Sequence, residues 1–132
     1  MAMRTFAYNK LCRDKTKERH ERHGSIVHTK DLSDEAYLKA LHNKLLEEVQ
    51  EVITAKDRGN VLEEIADVRE VLDALAQLHG IKQEVIQHMQ SGKRKQRGGF
   101  FERQYITHAE HPAASETTAY CLAHPEKYPE IK

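Results

Sequence analysis

Two stretches of similar length constrain the fold more than anything else in the chain. They are SDEAYLKALHNKLLEEVQEVITAK, residues 33–56, and VLEEIADVREVLDALAQLH, residues 61–79, separated by DRGN. In each, apolar residues return every three or four positions, the period of an α-helix with one buried stripe. Ser33 or Asp34 caps the first helix, which carries acids in its first turn and Lys56 in its last. Asn60 caps the second, and Gly80 stops it. The segment IKQEVIQHMQSGKRKQ reads as a third helix from residue 82, and KERHER as a short one ending before Gly24. Strand-type runs of Val, Ile and Thr are nearly absent. The expected fold is therefore all-α, a helical bundle built on an antiparallel helix hairpin.

A length of 132 residues allows one domain with a modest core. Residues 107–132 hold all three prolines and little periodicity, and they read as a loosely attached extension. The expected division is thus 1–106 for the helical domain and 107–132 for the extension. Net charge is zero, but the acidic centre (31–73) is flanked by basic segments at 1–23 and 93–103. That pattern suits a metal with a polyanion. It argues against a protein that coats nucleic acid, because no single basic face dominates. Cys12 and Cys121 stand far apart and imply no disulfide framework, hence a reducing, cytoplasmic setting. No apolar run has the length of a membrane span.

Within the hairpin the acids are not equivalent. On a helical wheel with about 100° per residue, Leu38, Leu41, Leu45, Leu46, Val49, Val52 and Ile53 form the buried stripe of the first long helix. Glu48 lies at the edge of that stripe, with Glu51 and Lys44 close by and Glu47 farther out. On the second helix Glu64 falls inside the apolar arc and Asp67 at its edge, whereas Glu63, Glu70 and Asp73 point elsewhere. Residues that face each other across an antiparallel hairpin have a constant sum of residue numbers. Glu48 with Asp67 and Glu51 with Glu64 share one such sum, centred on the DRGN turn. Four carboxylates converging near a core repel one another unless some protonate or a counter-charge joins them. All-oxygen ligation favours Mg²⁺, with Mn²⁺ as a substitute, over Zn²⁺.

ExxE on one helix and ExxD on the next resembles the signature of the all-α nucleoside triphosphate pyrophosphohydrolases. These are the MazG-like proteins and their relatives, phosphoribosyl-ATP pyrophosphohydrolase and the dimeric dUTPases. Here the motif reads Glu48-Val-Gln-Glu51 and Glu64-Ile-Ala-Asp67. YNKLCRDK, from Tyr8, is similar to the YNKLVRDK opening of a phosphoribosyl-ATP pyrophosphohydrolase-like subfamily, and KRKQRGGFFERQYI resembles its closing segment. The likeness covers residues 8 to 106. It departs after RDK, where the subfamily's usual Ile-Pro is Thr16-Lys17.

The resemblance implies cleavage between the α and β phosphates of a nucleotide, giving a monophosphate and pyrophosphate. It implies Mg²⁺ held by Glu48, Glu51, Glu64 and Asp67. Glu47, by adjacency, or Glu48 in a dual role is then the general base. Lys44 is placed to touch a phosphate oxygen or to pair with Glu48 one turn away. Asn9, Lys10 and Arg13 are candidates to close the site from one end. Lys93, Arg94, Lys95 and Arg97, before the flexible Gly98-Gly99, are candidates from the other. Phe100 or Phe101 is set to stack on a base or to plug the core. Two histidine pairs at helical spacing, His20/His23 and His108/His111, lack further ligands, and His42 and His79 read as core histidines. Three helices cannot bury these stripes alone, so a homodimer or tetramer is expected. The competing reading is a catalytically silent helical module that binds a nucleotide or a partner.

Overall fold

The computed structural model describes residues 2–132, and among them every regular element is an α-helix. The helices are α1 (Thr16–Arg22), α2 (Asp34–Thr54), α3 (Arg58–Leu78), α4 (Gln83–Arg97) and α5 (Glu116–Ala123). The chain divides into two compact units: one ends at Lys93, within α4, and the other runs Arg94–Lys132.

In the first unit, α2 and α3 pack on each other. Ser33 is the N-cap of α2, its hydroxyl accepting from the Ala36 N–H at 3.2 Å. The helix ends at Thr54, two residues short of the expected Lys56, because Ala55 turns into extended backbone. The cap of α3 is Asp57, not Asn60. Asp57 Oδ1 accepts from the Asn60 N–H at 2.8 Å, so Asn60 lies inside the helix as the capped residue. DRGN thus supplies a cap and a first turn, and the link between the helices shrinks to residues 55–57. Gly80 stops α3 with a left-handed φ of 68°, which lets its N–H reach Gln77 and the Ile81 N–H reach Ala76. Gly24, at φ 91°, closes α1 in the same way.

The core of this unit is small. Leu41, Val71 and Ala76 are its buried apolar residues, and Glu48 is buried with them at 6% exposure. Leu46 and Ile53 on α2 and Leu62 on α3 remain about 70% exposed. Two helices present one contact face to each other, and the rest of each apolar stripe stays open. His42 and His79, expected in a core, are exposed for the same reason.

The second unit contains a helix that its prolines obscured. Ser115 caps α5, accepting from the Thr118 N–H, while the Thr118 hydroxyl donates to the Pro112 carbonyl at 2.7 Å. Tyr120 and His124 stack with ring centres 4.3 Å apart, and Tyr128 meets Tyr120 at 5.9 Å. Within the expected extension, residues 112–128 thus hold one short helix with local contacts on either side of it.

The cap assignment is testable. Asp57→Ala should cost about 1 kcal/mol of stability, read as a lower urea midpoint at unchanged slope. Asn60→Ala should cost clearly less, because it removes only the side-chain bond to Asp57. Equal losses would return the cap to Asn60.

Candidate metal centre

Helix α2 sets Glu48 and Glu51 one turn apart on one edge, and α3 does the same for Glu64 and Asp67. The packing of the two helices brings Glu48, Glu51 and Glu64 together, each offering a carboxylate oxygen within 4.8 Å of the others. Glu48 is buried, Glu64 half-buried and Glu51 exposed. Oε2 of Glu48 and Oε2 of Glu64 are shut off from solvent and have no hydrogen-bond partner. A buried acceptor left unmatched is unfavourable, and an ionised one more so. These two orphaned oxygens and an all-oxygen donor set fit a hard divalent cation.

The same crowding shows in Glu64, whose pKa is pushed from the ordinary 4.5 up to about 7. The largest cause is its hydrogen bond with the Glu51 carboxylate, which requires a proton between them. Burial comes next, then the charges of Glu51, Asp67 and Glu48.

Three cations reach acids of the cluster or next to it. Lys10 donates to Glu47 Oε1 at 3.0 Å. Lys44 reaches Glu47 Oε2 at 3.4 Å and Glu48 Oε1 at 3.3 Å. Arg13 donates to Asp67 Oδ1. The Lys10 hydrogen bond, helped by Lys44 and opposed by burial, holds Glu47 below the usual carboxylate range, and Glu47 in return raises Lys10. A carboxylate paired with two ammonium groups is a weak proton acceptor, the opposite of what a general base needs.

The sequence candidates are distributed accordingly. Asp67 is not among the three clustered carboxylates; its charge acts on Glu64, and Arg13 engages it. Lys10, Arg13 and Lys44 all contact acids of the motif region. Asn9, next to Lys10, is exposed and left-handed at φ 50°. Lys93 is an exposed residue of α4. Arg97 and Phe100 belong to the second unit, where Phe100 is 98% exposed and Phe101 83%. Neither ring is a core plug in this chain. Gly98, at φ 80°, ends α4 with its N–H donating to Arg94 at 2.8 Å. The Arg94 guanidinium lies 5.7 Å from the Phe101 ring centre. The partners of Lys10 and Arg13 lie 37 and 54 positions away, and nothing local in the sequence signals them.

In comparisons with known proteins, no family model, no curated protein and no solved structure matches the chain. No helix among the described residues is long and apolar enough to cross a membrane.

The Glu64 shift has a consequence for stability. Between pH 4.5 and about 7, the folded chain keeps a proton at Glu64 that the unfolded chain has lost. Stability without divalent ions should therefore fall as pH rises through that window. The Glu47 pairing has the opposite sign and acts below its ordinary value of 4.5, outside the window. Glu64→Gln, a neutral isostere, should flatten the decline in urea midpoints measured in the presence of a chelator. A variant that declines as steeply as the wild type would contradict the assignment.

Proposed function

We propose that the chain is a Mg²⁺-dependent nucleotide pyrophosphohydrolase that cleaves the α–β phosphoanhydride of a nucleoside triphosphate or related nucleotide. The observation that carries this reading is the convergence of Glu48, Glu51 and Glu64, with two buried, partnerless oxygens. The resemblance of ExxE, ExxD and their flanking segments to the MazG-like family supplies the reaction. The architecture that goes with it is an antiparallel α2–α3 hairpin completed by a second copy of the chain.

Glu48, Glu51 and Glu64, joined by Asp67, would hold the metal. When bound, Mg²⁺ would offset phosphate charge and lower the pKa of an attacking water. Glu48, with its bare Oε2, is a better base than Glu47, which Lys10 and Lys44 keep ionised and occupied. Lys44 leans on Glu48 and can turn its ammonium to a phosphate oxygen. Lys10 and Arg13 pair with Glu47 and Asp67, which supports a role for them, with neighbouring Asn9, in closing the site. The roles of Lys93, Arg97 and Phe100 in nucleotide binding rest on the closing-segment resemblance. The exposed Leu46, Ile53 and Leu62 support a second copy: covering such a side chain contributes about 1.5–3 kcal/mol.

A panel of canonical and modified nucleoside triphosphates, phosphoribosyl-ATP included, should release pyrophosphate rather than orthophosphate with Mg²⁺ present. Glu51→Gln should lower that rate on the order of 100-fold or more, since losing even a residue that supports a metal ligand costs 10- to 100-fold. Metal binding without turnover of any nucleotide would instead favour a silent binding module. Light scattering should give at least twice the 15.3 kDa chain mass; a stable monomer would remove the oligomeric part of the proposal.

A further inference from the structure

The fourth acid of the motif already has a partner. Asp67 Oδ1 accepts from Arg13, which precedes α1 in a segment without helix. Three residues earlier, Lys10 grips Glu47. Residues 10–13 are thus fastened twice, to α2 by Lys10 and to α3 by Arg13. Asp67 stands one turn from Glu64 on the same helix edge, close enough for its charge to act on Glu64.

We propose that Arg13 is an internal competitor for Asp67. A divalent cation settling on Glu48, Glu51 and Glu64 recruits Asp67 by exchange, and the Arg13 guanidinium is released. The inference rests on the metal reading of these carboxylates. That reading has its own observation in Glu48, which is more than nine-tenths buried with a partnerless Oε2. The exchange is feasible because the Arg13–Asp67 clasp is weak. Its side chains are 59% and 35% exposed, and ion pairs so open to water contribute little. A dication facing several carboxylates outbids a single guanidinium. Lys44 is in a different position. It is only 20% exposed, belongs to α2 itself and bridges Glu47 and Glu48. It therefore engages Glu48 Oε1 and leaves Glu48 Oε2 without a partner.

The test is a double-mutant cycle read by Mn²⁺ calorimetry without nucleotide. Arg13→Gln should tighten Mn²⁺ binding roughly 2- to 5-fold, the range expected for breaking an exposed ion pair. Asp67→Asn should weaken it. In the Asp67→Asn background, Arg13→Gln should change nothing. Equal tightening in both backgrounds would mean a general charge effect and would overturn the exchange. So would no tightening in Arg13→Gln, or an Asp67→Asn variant that binds as the wild type does. Arg13→Met repeats the comparison with the apolar stem retained, and far-UV circular dichroism checks the fold of each variant. Glu51→Gln separates the two levels. If it binds Mn²⁺ as tightly as the wild type, the metal site itself fails and the exchange with it. If it loses Mn²⁺ while Arg13→Gln is silent, the exchange alone fails.

Discussion

The packing of α2 on α3 is the contact on which everything else depends. It buries Leu41, Val71 and Ala76, and it carries Glu48 into the same interface. An acid is therefore part of the core rather than an addition to its surface. Burial of a few apolar side chains drives the helices together. The price is two carboxylate oxygens, one each on Glu48 and Glu64, shut off from solvent without a partner.

The surrounding charges follow from that arrangement. Lys10, Lys44 and Arg13 neutralise the rim acids Glu47 and Asp67, and Lys44 touches the outer oxygen of Glu48. Crowding among Glu48, Glu51 and Glu64 raises the pKa of Glu64, the group that feels its neighbours most. Three carboxylates so close, two of them with a partnerless buried oxygen, are what a bound cation would relieve.

Much of the helical framework was legible because its signals are local. The period of apolar residues located α2, α3 and α4, and Ser33, Gly24 and Gly80 marked ends that the backbone confirms. The errors are local too. Asn60 and Asp57 are both good caps, and only the geometry of the first turn shows that Asp57 accepts and Asn60 donates. The α5 helix was hidden by Pro112, Pro125 and Pro129, although Ser115 before Glu116 is a recognisable start signal. A wheel places His42 and His79 in a core because it counts the whole apolar stripe. In one copy of the chain, a single helix pair covers only part of it.

The sequence by itself determined that the chain is helical and which acids lie on or beside the buried stripes. Both follow from a repeat of 3.6 residues and need no knowledge of the remaining chain. Tertiary structure decided which of those acids meet. It gathered Glu48, Glu51 and Glu64, and left Asp67 with Arg13 and Glu47 with Lys10. The wheel ranks positions around one helix axis. Whether an acid finds another acid or a cation depends on where distant segments return, and the partners of Glu47 and Asp67 come from residues 10–13, far back along the chain.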